Sequence, residues 1–228
     1  EAIDGVGGEF NAFTSKDYTG FYVRAAQEHV ELSCDVISDM LLYATFKEEE
    51  IERERGVILE EINMYEDDPK SKIADMFEFQ LFGDQPLGWN IAGPKEVIKK
   101  VTRDQIIDYR NRTYVPQNIV VVVTGPIPHE RVVTLVEKYF QFTNSGDLPK
   151  PEPFKPYKPQ RKLIVHRKTE QAAFWLGTQA YDRYHKDRFA LRVLRIILGG
   201  SMSSRLFMSV RERQGLCYYV GASIDDYA

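Results

Sequence analysis

The sequence predicts an α+β fold, a sheet with helices packed on one face, comprising most of a first domain and the start of a second, similar one. Three observations predict it. An extended aromatic stretch, paired helical segments and an apolar β-branched run follow one another, and a comparable succession begins again after residue 160. A Pro-rich stretch separates the two series. A chain of 228 residues that is 43% hydrophobic can bury a sizeable core or parts of two domains.

Taken in order, Phe13 to Ala26 is dense in aromatic and β-branched residues and reads as extended structure, broken at Ser15-Lys16-Asp17. Glu28 to Ala44 reads as a helix, because Val30, Cys34, Ile37, Leu41 and Ala44 recur at helical steps and form one apolar stripe. Cys34 on that stripe is a small core residue. Lys47 to Glu66 is a second helix, ended by Asp67-Asp68-Pro69, and Ser71 to Phe82 continues helical. Gly83 to Pro94 is a loop. Thr102 with Gln105 is a capping box for the helix leading to Arg112. Ile119 to Thr124 is a short apolar run, expected to be a strand buried on both faces. A helix opens at Pro128 and His129 and reaches Phe140, with His129 at its surface.

Pro149, Pro151, Pro153, Pro156 and Pro159 then exclude helix and central strand, so residues 143–160 read as a linker between domain 1–142 and domain 161–228. Beyond it, Arg161 to His166 and Ala172 to Ala180 are strand candidates, with His166 at a solvated strand end. Asp187 to Leu198 is a helix stopped by Gly199-Gly200, Ser204 to Arg213 the next helix, and Leu216 to Ser223 the next strand.

A net charge of −4 gives no basic footprint for nucleic acid or an acidic membrane surface. Two cysteines form neither a disulfide framework nor a Cys-x-x-Cys metal pair. No apolar run approaches the ~18 residues of a membrane span. A signal peptide stays open, and cytoplasm is the preferred compartment.

The segment with most chemistry in it is Glu54-Arg55-Gly56-Val57-Ile58-Leu59-Glu60-Glu61-Ile62. On a helix Glu54 and Glu61 fall within about 20° of each other, so the two carboxylates share one stripe and can serve one site. The plain alternative is a solvated helix face, since Glu is a good helix former.

Around that helix stand Gly7-Gly8-Glu9-Phe10-Asn11-Ala12-Phe13-Thr14 before it and Tyr114-Val115-Pro116-Gln117-Asn118 with its valines after it. Further on come Gly199-Gly200-Ser201-Met202-Ser203-Ser204-Arg205-Leu206 and Val210-Arg211-Glu212-Arg213-Gln214-Gly215-Leu216-Cys217-Tyr218. In this order the chain resembles the pitrilysin/insulinase family of zinc peptidases, most closely its bacterial and mitochondrial-processing-peptidase-like branch. The resemblance covers nearly the whole chain. It implies a zinc endopeptidase that cleaves peptides or unfolded segments by metal-activated water. Glu61 matches the distant Glu that binds zinc, and Glu54 the first Glu of E-R-x-x-x-x-x-E, a catalytic helper. Asn11, Ala12, Phe13 and Thr14 match a cleft strand that takes substrate by strand addition. Arg211 and Tyr218 match residues that reach over the peptide from the second domain, Tyr218 donating to an oxyanion. A shift of register by one gives Tyr219 that role. The family's Gly-rich loop matches Gly199-Gly200, here short.

The family's H-x-x-E-H is absent, and none of His29, His129, His166 and His185 has a second His four residues away. Family spacing places that motif before Glu1. The expectation is an internal piece of a longer protein, inactive by itself, whose intact form holds Zn2+. A homo- or hetero-oligomeric partner subunit is an open expectation. The alternatives are a non-catalytic scaffold subunit of the same family and a peptide-binding module using an open strand edge.

Overall fold

The computed structural model describes residues 1–145, 148 and 152–227. They divide into two compact units, one from Glu1 to Trp175 and one from Leu176 onward. The architecture is α+β, with helices predominating and one antiparallel hairpin.

The hairpin pairs β1 (Glu9–Thr14) with β2 (Thr19–Arg24), in register from Glu9 opposite Arg24 to Thr14 opposite Thr19. The predicted break is its turn: the Ser15 N–H donates to the Tyr18 carbonyl at 2.8 Å, and the Ser15 hydroxyl accepts from the Tyr18 N–H at 3.3 Å. β1 starts earlier than the aromatic pattern indicates, because Glu9 accepts hydrogen bonds across the ladder from the Tyr22 hydroxyl and Arg24, each at 2.9 Å. Gly20 has no side chain for a physical reason: the Phe13 ring lies 2.4 Å from where a Cβ would stand.

α1 (Val30–Leu42) carries the predicted stripe, with Val30 and Cys34 buried. α6 (His129–Tyr139) packs Leu135 against both, and Val123, Ile127, Tyr139 and Phe140 extend the cluster. Burying a side chain such as Leu135 contributes roughly 2 kcal/mol. Polar contacts set the register of the two helices, as Glu31 accepts from Lys138 at 2.7 Å and from the Tyr139 hydroxyl at 2.9 Å. Burial pushes the Cys34 thiol pKa up. His129 is exposed, as predicted.

α2 (Glu48–Asp67) and α3 (Pro69–Phe82) meet at Asp68, whose carboxylate caps α3 by accepting from the Ser71 N–H at 2.9 Å, with Pro69 in the first turn. A short α4 (Lys95–Ile98) leads to α5 (Arg103–Thr113), and the Thr102–Gln105 capping box is formed. Two arginines of α5 secure the end of α1. Arg110 donates to the carbonyls of Leu41, at 3.0 Å, and Leu42. Arg103 donates to that of Phe46 at 2.7 Å, which holds Phe46 at φ 46.

Several strand expectations are corrected. Ile119–Thr124 begins extended, but among the described residues it joins no ladder, and Val120 and Val122 are 86% and 77% exposed. A β-branched run becomes a buried strand only where neighbours pair its edges and cover its faces, and here α1 and α6 take only one face. Likewise no ladder forms at 161–166, 172–180 or 216–223 among the described residues. His166 is exposed there.

Pro149 and Pro151 of the Pro-rich stretch lie outside the described residues. Past them the chain runs along α3: the Phe154 ring meets Phe82 edge-on at 6.0 Å, and the Lys155 N–H donates to Gln85 at 2.9 Å. The unit closes with Trp175 against Phe77, ring centres 5.5 Å apart.

In the second unit α7 (Arg188–Gly199) is followed by a π-helical segment, Phe207–Arg213. Two details depart from expectation. The wider winding replaces an ordinary α-helix before Gly215, which takes a left-handed φ of 61. α7 ends at Gly199-Gly200 as predicted, but without a left-handed cap, since Gly200 has φ −87. The glycine at 199 serves close approach instead, since a Cβ there would stand 2.5 Å from the Ala222 nitrogen.

Candidate functional site

α2 carries the candidate carboxylates on one exposed face. Its opposite side is anchored. Arg55 donates to the carbonyls of Val101, at 2.9 Å, and Ile98, and is paired with Glu52. Ile62 is buried, and Glu66 binds Lys95 and Lys72. These ammonium partners, Lys95 first, hold the Glu66 carboxyl below its usual range, and the Arg55 guanidinium does the same for Glu52. Glu54 and Glu61 face away from all of this. Both are exposed, and among the described residues neither makes a hydrogen bond or an ion pair. Between and beyond them stand Val57 and Met64, 54% and 58% exposed. The stripe 54, 57, 61, 64 is therefore two acids and two apolar side chains presented together. Residues Val57 and Met64 were not singled out from sequence, although the helical spacing of the stripe was readable.

Seven residues of helix rise roughly 10 Å, so the two carboxylates leave the helix about two turns apart along one stripe. No group of three His, Cys, Asp or Glu side chains among the described residues could hold a metal ion. The residues present thus do not by themselves fit a catalytic zinc, which takes three protein ligands.

The predicted substrate strand is β1. All six of its residues are exposed, and among the described residues β2 is its only strand neighbour, so one edge is open. The Ala12 N–H is turned away from β2 and donates to the Asn11 side-chain oxygen at 2.8 Å. Asn11 thus satisfies, from its own side chain, an amide on the open edge. Phe13 is occupied in packing, meeting Tyr18 edge-on at 5.8 Å, and Thr14 faces Thr19 across the ladder at 3.4 Å.

In the second unit Arg211 and Tyr218 are brought together. The guanidinium donates to the Tyr218 carbonyl at 2.6 Å and lies 5.0 Å from the centre of the Tyr218 ring and 5.1 Å from that of Phe207. Cation–π attraction on both sides fixes the arginine between two aromatics. Tyr218 is 83% exposed, so its hydroxyl is presented to solvent while Arg211 holds its backbone. The Tyr219 hydroxyl instead approaches Gly221, 3.1 Å from an added Cβ.

Comparison with known proteins accords with these features. The family model described as insulinase (peptidase family M16) matches residues 1–95, and that of the peptidase M16 inactive domain matches residues 100–228. A protein of Streptomyces coelicolor named as an uncharacterized zinc protease is 39% identical over 234 residues, covering 100% of this chain and 51% of its own length. The YmxG protein of Bacillus subtilis, named in the same way, is 38% identical over 221 residues, covering 96% of this chain and 53% of its own. The chain thus spans about half the length of these relatives. Among solved structures, a peptidase M16 inactive domain from Pseudomonas fluorescens superposes with a TM-score of 0.82 at 20% identity, covering 99% of this chain and 55% of that one. A protease from Helicobacter pylori gives 0.81 at 22% identity, covering 95% and 53%. At those identities the structural likeness shows the fold, and the family-model matches show the membership. The chain belongs to the M16, or pitrilysin/insulinase, family of zinc metallopeptidases.

Proposed function

We propose that this chain contributes one zinc ligand and the substrate-aligning strand of a zinc endopeptidase that cleaves peptides or unfolded protein segments. The single observation that carries this is the bare Glu54–Glu61 face of α2, set against the anchored carboxylates on the other side of the same helix. On this reading Glu61 is the ligand, and two histidines come from polypeptide outside these residues. Zinc, when bound, supplies a Lewis acid and a water of lowered pKa. Glu54, about two turns away, orients a ligand side chain rather than touching the metal.

The remaining roles belong to this chain's own groups. The open edge of β1 offers backbone donors and acceptors to an extended peptide, and an entering carbonyl replaces the Asn11 side chain on the Ala12 N–H. Recognition by main-chain pairing tolerates many sequences, as expected of an enzyme acting on unfolded segments. The Tyr218 hydroxyl donates to the oxyanion that forms at the scissile carbonyl. Arg211 is a positioning residue that fixes Tyr218 through its carbonyl and ring. The proposed domain arrangement is 1–142, a linker at 143–160, and 161–228.

A second reading is a non-catalytic subunit of the same family, paired with an active one. The inactive-domain match over residues 100–228 is compatible with it, as with an active enzyme whose other domain carries the zinc. The test measures zinc content and cleavage of an unstructured peptide by the polypeptide at its natural length. Stoichiometric zinc, with chelator-sensitive cleavage that disappears in Glu61→Gln, is the expected result. Absence of both zinc and cleavage from the wild type would establish the non-catalytic reading. The 228-residue chain alone is expected not to cleave.

A further inference from the structure

Lys16 stands in the turn between β1 and β2, and its side chain is only 9% exposed. The ammonium reaches across to α3 and to the loop that follows it. It pairs with the Glu78 carboxylate at 2.8 Å and donates to the Trp89 carbonyl. Both ends of this contact are held. On the turn side, the Ser15 N–H donates to the Tyr18 carbonyl at 2.8 Å, and the Ser15 hydroxyl accepts from the Asp17 and Tyr18 N–H groups at 3.3 Å each. On the loop side, the Gly88 N–H donates to the Gln85 carbonyl at 2.7 Å, Trp89 Nε1 to Asp84 at 2.8 Å, and Asn90 Nδ2 to Asp75 at 2.6 Å. The backbone there is packed so closely that a Cβ on Gly88 would lie 2.0 Å from the Gly83 carbonyl oxygen. Energetics decide what the contact is for. An ammonium taken out of water loses solvation that a carboxylate only roughly offsets, and an apolar side chain in its place is often as good for stability. A paired, nearly buried lysine therefore serves register better than stability. What it registers is β1. All six β1 residues are exposed, and β2 is its only strand neighbour among the described residues. The place of its Thr14 end thus follows the turn. Lys16 ties that turn to α3, which begins at Pro69, directly after α2 ends at Asp67.

We propose that Lys16 is a positioning residue, whose contacts with Glu78 and the Trp89 carbonyl fix the Thr14 end of β1 against the helix pair that carries Glu61. The inference rests on reading β1 as the strand that aligns the substrate. With the tether in place, a peptide paired to β1 is presented at a set distance from α2. Without it, the strand samples several positions, and only one of them accepts the peptide in alignment. Apparent affinity then falls by the fraction of time spent in that position, while a peptide once bound selects it and reacts at the normal rate.

Steady-state kinetics on an unstructured peptide, with the polypeptide at its natural length, test it. Lys16→Met should raise KM on the order of 10-fold, with kcat and zinc content unchanged within about twofold. Glu78→Gln should act in the same direction, and Lys16→Arg should restore KM toward that of the wild type. Lys16→Met combined with Glu78→Gln should be no worse than Lys16→Met alone, since one contact is lost in both. An unchanged KM in both single variants would overturn the proposal. So would losses confined to kcat, zinc content or Tm, the marks of a lysine that only holds the fold. If the wild type neither holds zinc nor cleaves, the catalytic reading has failed, and Kd for the same peptide takes the place of KM. A weakening of ~10-fold in Lys16→Met that Lys16→Arg rescues then supports the tether, and equal or absent binding in wild type and Lys16→Met overturns it.

Discussion

The two sides of α2 use the same residue type for opposite purposes. Glu52 is paired with Arg55 and Glu66 with Lys95 and Lys72, and these side chains tie the helix to α3, to the start of α4 and to the chain between α4 and α5. Glu54 and Glu61 have no partner among the described residues and stand beside exposed Val57 and Met64. The lesson is that a carboxylate's role is read from what surrounds it. Paired acids at a helix surface serve attachment. On the proposed reading, the bare acids beside apolar side chains form the face that a metal site or substrate covers.

The comparison breaks first at Glu61. In the natural-length protein, Glu61→Gln should abolish tightly bound zinc and peptide cleavage together, whereas Glu52→Gln should keep both. Stoichiometric zinc in Glu61→Gln, read by metal analysis, would remove the ligand assignment and with it the functional half of the contrast. Next in size is Tyr218→Phe, which extends the contrast to the second unit. It should lower kcat by roughly two to three orders of magnitude, the scale of a lost oxyanion donor, at unchanged zinc content. Tyr219→Phe should be silent. If Tyr219→Phe is the damaging change, the motif is read one residue out of register.

Glu54→Gln should be milder, with a loss of roughly 10–100-fold in activity or metal affinity, as befits a group acting through a ligand. An effect as large as that of Glu61→Gln would make the two acids equivalent. The smallest effects belong to the attached side. Glu66 and Glu31 are held below the usual carboxylate range, mainly by hydrogen bonds from Lys95 and Lys138 respectively. Between the depressed folded value and the ordinary one near ~4.3, the unfolded chain holds more protons, so stability rises with pH there. The contribution is complete above about pH 4.3 and is lost as pH falls through the folded value. Glu66→Gln and Glu31→Gln should each flatten the acid limb of a Tm-against-pH curve, with little change at high salt for these exposed pairs. In the 228-residue chain, which lacks a complete zinc site among its described residues, Glu61→Gln removes no ion pair and should leave Tm at neutral pH unchanged.

Much of the molecule was legible because its causes are local. The α1 stripe, the Thr102–Gln105 box and the Asp67-Asp68-Pro69 stop each specify an element with residues a few positions apart. The hairpin at Ser15–Tyr18 closes on itself in the same way. What was not legible depends on distant partners. Ile119–Thr124 has the composition of a central strand, but pairing is supplied from elsewhere in the chain or not at all. Nor does composition reveal that Phe154 settles on Phe82, or that Gly199 is small because the backbone at Ala222 passes against it. Of the site, the helical phase of Glu54 and Glu61 was readable. The contact of Arg211 with the Tyr218 carbonyl was not, because it depends on how the π-helical segment turns back at Gly215.

The arginines of α5 bear on how a mutational survey of this protein should be interpreted. Arg110 grips the carbonyls at the end of α1, and Arg103 holds the backbone at Phe46. Lysine cannot reproduce a fork that reaches two carbonyls at once. In a selection for growth or activity, Arg110→Lys would therefore score beside changes in the reaction centre, though Arg110 touches no substrate. Temperature separates the two kinds of defect: lowering it restores a loosened scaffold and does nothing for a missing ligand. A survey run at two temperatures would sort anchors from chemistry without any prior alignment.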